Sequence, residues 1–92
     1  MGVTLRIPTV LRKLTDGRDE VEAAGSNVGE VLRAVGERYP AFLGKVTSEG
    51  GAIRPFLNVF VNGEDIRFAG DLEAPVSDGD EVSIIPSVAG GR

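Results

Sequence analysis

The chain has no cysteine and no histidine, and these two absences exclude most self-contained chemistry. Without cysteine there is no disulfide framework, no thiolate nucleophile and no thiolate-bound metal. Without histidine the usual general base near neutral pH and the commonest neutral metal ligand are missing too. An enzyme in its own right is not expected. Cationic charge is also scarce, with 10 Lys and Arg against 14 Asp and Glu and a net charge of -4. Non-specific nucleic-acid binding needs a dense cationic face to release phosphate counterions, so a basic protein surface is the better-suited partner. Apolar stretches are only a few residues long, and the first residues lack the charged-then-apolar order of a signal peptide. Neither membrane insertion nor export is expected, and the chain reads as cytoplasmic.

What is present suffices for one domain. A chain of 92 residues buries roughly 60 to 68% of its unfolded surface on folding, enough for modest stability without cross-links. Val3, Leu5 and Ile7 alternate with Thr4 and Arg6, the period of a half-buried strand, and Pro8 closes it. Thr15-Asp16-Gly17-Arg18-Asp19 supplies a turn before a second short strand at Glu20 to Ala23. Asn27 with Glu30 three residues on forms a capping-box-like start, after which Val28, Val31, Leu32, Val35 and Tyr39 make one apolar helical stripe that Pro40 ends. Glu30, Arg33 and Glu37 fall on the opposite, solvated face, with Arg33 and Glu37 spaced to pair.

Ala41-Phe42-Leu43 is read as at most one further helical turn, and the glycine-bearing stretch from Gly44 to Pro55 as a long connection. Leu57, Val59 and Val61 then alternate with Phe56, Asn58 and Phe60 ahead of Asn62-Gly63, the pair suited to a type I′ turn because both central residues need positive φ. Ile66 and Phe68 continue on the expected return strand, Leu72 to Val76 crosses irregularly, Asp78-Gly79-Asp80 turns, and Val82 to Ile85 is the last strand.

The order hairpin, helix, hairpin, strand predicts an α+β domain with a mixed four- to five-stranded sheet packed on one main helix. The β-grasp arrangement fits this order, with the first and last strands parallel in the centre of the sheet. The domain is expected at residues 1–86. A flexible tail, Ser87-Val88-Ala89-Gly90-Gly91-Arg92, is expected to follow directly on the last strand at 87–92. Two glycines near its end carry no side chains to obstruct entry into another protein's active site.

Three segments carry a family resemblance: Val59-Phe60-Val61-Asn62-Gly63, the turn Asp78-Gly79-Asp80-Glu81-Val82, and the stretch Ile84-Ile85-Pro86-Ser87-Val88-Ala89-Gly90-Gly91. They resemble the ubiquitin-like sulfur-carrier proteins, the family of the molybdopterin-synthase small subunit and the thiamin-biosynthesis carrier. Val3 to Arg12 and Asn58 to Gly70 are most similar to the carrier of cysteine biosynthesis. The resemblance implies that an activating enzyme uses ATP to adenylate the carboxylate of Gly91, with Gly90 beside it. A sulfur donor then displaces AMP to leave a thiocarboxylate. The carrier itself binds no cofactor. A sulfur-accepting synthase, cysteine-synthase-like in the first instance, is the implied recipient, and a molybdopterin, thiamin or secondary-metabolite synthase is the alternative. A ubiquitin-like modifier joined to lysine, and a purely structural module with an inert tail, are the other readings.

Arg92 departs from the family pattern, in which the reactive form ends at Gly-Gly. The resemblance to carriers made with a C-terminal extension implies that a processing protease of the zinc metalloprotease type removes it. Asp78 and Asp80 are adjacent acids in a tight turn and are read as turn formers rather than as a metal site. Phe60 and Ile85 have the opposite parity to the core-facing residues of their strands, so alternation places them on the open face of the sheet as a candidate docking patch beside Ser87, Val88 and Ala89.

Overall fold

The computed structural model describes residues 2–87. Its elements follow in the order β1 (Val3–Arg6), β2 (Glu20–Ala23), α1 (Val28–Arg38), α2 (Pro40–Val46), β3 (Leu57–Val61), β4 (Glu64–Asp65) and β5 (Glu81–Pro86). Short 3-10 helices at Thr9–Thr15, Ile66–Phe68 and Asp71–Glu73 occupy the connections. The strands form one five-stranded sheet in the order β2-β1-β5-β3-β4. Parallel pairing sets Leu5 of β1 opposite Val82 of β5, and the other three pairs, β1 with β2, β3 with β5 and β3 with β4, are antiparallel. This is the β-grasp arrangement that the element order predicts.

Each element forms for a local reason. The Glu30 N–H donates to Asn27 Oδ1 at 2.8 Å, which caps α1. The Glu30 carboxylate accepts from the Ser26 N–H and hydroxyl, also at 2.8 Å, so the returning half of the capping box reaches Ser26 rather than Asn27. Val28, Val31, Leu32 and Val35 are buried against Val3, Leu5, Val59, Val82 and Ile84 from one face of the sheet. Each such aliphatic side chain contributes about 1.5 to 3 kcal/mol by leaving water. Asn62 and Gly63 take φ of 50° and 88°, the positive values that the type I′ turn requires.

Several segments differ from the sequence reading. Pro40 ends α1 but also opens α2, at a first helical position where the missing N–H is no loss. The Ala41-Phe42-Leu43 segment is therefore part of a seven-residue helix that buries Phe42 and Val46 and packs beside the main helix α1. Gly36 allows the close approach, since a Cβ there would lie 2.5 Å from Leu43 Cδ2. The connection from Gly44 to Pro55 starts helical and then folds back on itself, with Thr47 bridged to Ile53 and Arg54 donating to the Gly44 carbonyl at 2.8 Å.

The return strand is shorter than the alternation suggested. Asp65 Oδ1 accepts from the Arg67 N–H at 2.9 Å and starts a 3-10 turn at Ile66. Ile66 thereby enters the core at 2% exposure, while Phe68 is 83% exposed. The Arg33–Glu37 pair is not among the ion pairs of the described residues, which join Arg6 to Glu20 and Glu81 and Arg67 to Asp65. No helix among the described residues is long and apolar enough to cross a membrane.

Candidate functional site

The last strand is held from both sides. β5 pairs in parallel with β1 and antiparallel with β3, in a register that sets Pro86 opposite Leu57, Ile85 opposite Asn58 and Ser83 opposite Phe60. The ladder continues one rung beyond the strand. Ser87 donates its backbone N–H to the Phe56 carbonyl at 2.8 Å and its hydroxyl to the same oxygen at 3.0 Å. Ser87 is thus tied to the sheet, although the sequence reading began the tail there. Val88, Ala89, Gly90, Gly91 and Arg92 lie outside the described residues.

Alternation along the two strands sorts their side chains. Leu57, Val59, Val82 and Ile84 are buried toward the helices. Ile85, of opposite parity, is 49% exposed, and Phe60 is half-buried on the same open face. Neither face-to-face nor remote, the two are diagonal neighbours, because Ile85 opposes Asn58 and Phe60 opposes Ser83. Diagonal cross-strand residues lie about 7 to 8 Å apart, within reach of an aromatic side chain.

Phe56 adds a third member that sequence reasoning passed over. It is 50% exposed, and its hydrogen bonds to Ser87 extend the same register, so Ile85 lies diagonally between Phe56 and Phe60. Its parity with Asn58 and Phe60 was readable. What hid it was its place directly after Pro55, ahead of the strand proper.

Beside this apolar zigzag the open face is charged. Arg6 Nη1 bridges Glu20 at 2.6 Å and Glu81 at 3.3 Å across three neighbouring strands. These partners are about half exposed, so solvent screening leaves such pairs worth only ~0 to 1 kcal/mol each. Two carboxylates against one guanidinium leave this part of the face with a net negative charge.

The Asp78-Gly79-Asp80 turn fixes where β5 begins. The Asp80 carboxylate accepts from the Ser77 N–H at 2.8 Å and from Asn62 Nδ2 at 3.1 Å, while Glu81 donates its N–H to Asn62 Oδ1 at 2.9 Å. Hydrogen bonds to the ionised form, from the Ser77 amide first, hold the Asp80 carboxyl below its ordinary value. Asp80 is accordingly a turn former that ties the β3–β4 hairpin to β5. Among the described residues no group of three His, Cys, Asp or Glu could hold a metal ion.

Comparisons with known proteins agree with this geometry. The ThiS family matches residues 5–91, which extends through Gly91 and stops before Arg92. The sulfur carrier protein CysO of Mycobacterium tuberculosis is 41% identical over 93 aligned positions, covering 99% of this chain and all of that protein. Small archaeal modifier protein 3 of Haloferax volcanii is 36% identical over 66 positions, 72% of this chain and 71% of its own. A chain in the crystal structure of the Amycolatopsis orientalis BexX/CysO complex superposes with a TM-score of 0.90 at 46% identity, over 97% of this chain and 99% of that one. The chain belongs to the ThiS family of ubiquitin-like sulfur carriers.

Proposed function

We propose that the chain carries sulfur as a thiocarboxylate on Gly91 and delivers it to a synthase that forms cysteine. The observation that carries this reading is the anchoring of β5. The central strand is fixed through Ser87 to Phe56, and Val88-Ala89-Gly90-Gly91 follows at once. Four residues beyond Ser87 span about 13 to 14 Å when extended. That length lets Gly91 enter a narrow channel while the folded body stays outside, and the two glycines present no Cβ to the reacting groups.

The chemistry needs a partner at each step. An activating enzyme binds ATP, and the Gly91 carboxylate attacks the α-phosphorus, releasing pyrophosphate and leaving an acyl adenylate. The sulfur of a donor then attacks the acyl carbon and AMP departs. The synthase takes the sulfur from the resulting thiocarboxylate, and this chain is a co-substrate rather than the catalyst. Gly91 is held in a peptide bond to Arg92, so a protease, in our reading a metalloprotease that activates water, must first hydrolyse that bond. Activation at the cost of ATP supports a cytoplasmic carrier in this reading.

Phe56, Phe60 and Ile85 are the proposed docking patch for these enzymes, with Val88 and Ala89 leading the tail inward. The likeness to small archaeal modifier protein 3 supports a second reading, in which a lysine amine rather than a sulfur donor captures the activated Gly91.

The test is to offer the 92-residue protein and a version ending at Gly91 separately to the activating enzyme with ATP and a sulfide source. A mass gain of about 16 Da, oxygen replaced by sulfur, on the trimmed version alone is the expected result. Thiocarboxylation of the full chain with Arg92 still attached would overturn the assignment to Gly91. Lysine conjugates without any thiocarboxylate would favour the modifier.

A further inference from the structure

The turn residues Asn62 and Gly63 place an electrophile beside a nitrogen that can attack it. The carboxamide carbon Cγ of an asparagine can be reached by the amide nitrogen of the next residue, and the two then close a five-membered cyclic imide. Glycine in the second position hinders this least, because it has no Cβ. Both residues are exposed. The Gly63 N–H donates to no backbone carbonyl among the described residues. A Cβ on Gly63 would meet no atom within 4 Å, so there is open space for the ring.

The electrophile, in contrast, is tied at both ends to the start of β5. Asn62 Nδ2 donates to Asp80 Oδ1 at 3.1 Å, and Asn62 Oδ1 accepts from the Glu81 N–H at 2.9 Å. An N–H only donates and an ionised carboxylate only accepts, so these partners fix which end of the carboxamide is which. The Asp80 carboxylate is itself positioned by the Ser77 N–H at 2.8 Å. A cyclic imide is nearly flat, so closing it needs the Asn62 Cα–Cβ bond close to eclipsed, away from any staggered rotamer. The two contacts with β5 hold the carboxamide against that rotation.

We propose that Asn62 is a site of spontaneous deamidation whose rate is set by the tie to Asp80. When the tie opens, the Gly63 nitrogen gives its proton to hydroxide and attacks Asn62 Cγ. A C–N bond forms, the bond from Cγ to the carboxamide nitrogen breaks, and that nitrogen leaves as ammonia. Water then opens the imide at either carbonyl, giving an aspartate or its β-linked isomer, with no oxidant or reductant involved. The aspartate would set a carboxylate oxygen where Nδ2 stood, 3.1 Å from Asp80 Oδ1, and like charges that close repel. The β-linked isomer adds a main-chain atom to a tight turn whose register sets Val61 opposite Glu64 and Phe60 opposite Asp65. Either product releases the hairpin from the start of β5, next to the rung that joins Phe60 to Ser83.

The experiment incubates the full 92-residue protein at mildly alkaline pH, folded and in denaturant, beside folded Asp80→Ala, and follows peptide mass over time. The expected product is a gain of about 1 Da, NH2 replaced by OH, on the peptide that holds Asn62. It should form at least about fivefold faster in denaturant and in Asp80→Ala than in the folded wild type, because both remove the tie. If Asp80→Ala does not fold, Asp80→Asn is read in its place. Its neutral oxygen is a weaker acceptor than a carboxylate, so its rate should lie above that of the wild type. Asn62→Asp, which copies one product, should melt below the wild type. Absence of the mass gain at Asn62 in every sample overturns the site. Equal rates in the wild type and the folded Asp80 variant overturn the role of Asp80, and an unchanged Tm in Asn62→Asp overturns the release of the hairpin.

Discussion

The Phe56 carbonyl accepts two hydrogen bonds from Ser87, one from the amide at 2.8 Å and one from the hydroxyl at 3.0 Å. A carbonyl has two lone pairs, and both are used here just beyond the end of β5. The double contact extends the β3–β5 ladder by one rung, so that the end of the central strand is held to the sheet rather than frayed. It also brings Phe56 into register with Ile85 and Phe60.

Truncation should locate this boundary. A protein ending at Ser87 keeps both hydrogen bonds and should melt within a few degrees of the full chain. One ending at Pro86 loses them both, and at a solvated site each contributes about 0.5 to 1 kcal/mol. A further fall of roughly 4 to 16 °C in Tm is expected from the two together. Equal melting temperatures would mean that Ser87 contributes nothing to the fold, and a large fall on ending at Ser87 would mean that residues beyond it pack on the body.

The open-face patch makes a separable prediction. Ile85→Glu and Phe56→Glu replace side chains that are about half exposed, so folding should lose little, whereas an apolar anchor at an interface centre is worth about 2 kcal/mol or more. Binding to the activating enzyme should weaken by at least about tenfold. Phe60→Glu should add a stability loss because Phe60 is more deeply buried. Wild-type affinity for folded Ile85→Glu, measured by calorimetry, would remove the patch from the mechanism.

Most of the fold was legible because its local signals agree. The strand at Glu20 to Ala23, the cap at Asn27 and the turn at Asn62-Gly63 each follow from residues adjacent in sequence. The misread segments depend on contacts that no local pattern encodes. Pro40 is a helix stop in isolation, but Gly36 lets Leu43 approach α1 and a second helix becomes favourable. The alternation of Ile66 and Phe68 reads as strand, yet the Asp65 carboxylate captures the Arg67 amide and turns the chain. On the site side, parity alone identified Phe60 and Ile85, whereas Phe56 required the rung formed with Ser87.

Gly36→Ala tests the helix junction, because two effects of opposite sign compete there. In a helix interior the change favours the helix by about 0.5 to 1 kcal/mol. Here the new Cβ would meet Leu43 Cδ2 at 2.5 Å and Leu43 Cβ at 2.9 Å. The second of these is not the free end of a flexible side chain, so α2 must shift, and overpacking costs about 1 to 3 kcal/mol. A net loss is expected in chemical denaturation, and Gly36→Ala/Leu43→Ala should recover part of it. A stabilised single variant would show that the helices separate freely.

Acid should destabilise the protein in a defined window. Glu30 is held below its ordinary value chiefly by the Ser26 amide, Asp65 by the Arg67 side chain, and Asp80 by the Ser77 amide. In the unfolded chain these groups protonate at about 3.9 to 4.3, above their folded values. The unfolded state therefore binds more protons between the two values, and stability rises with pH there. The contribution is complete above the unfolded values and is lost as pH falls through the folded ones. With no histidine or cysteine in the chain, no side chain has an ordinary pKa in the range that would add a step between about pH 5 and 8. Tm should be flat from pH 8 to 5 and fall below about 4.5, and Asp80→Asn should make the acid limb shallower. A transition centred near pH 6 to 7, or an acid limb unchanged in Asp80→Asn, would show that other groups govern the acid response.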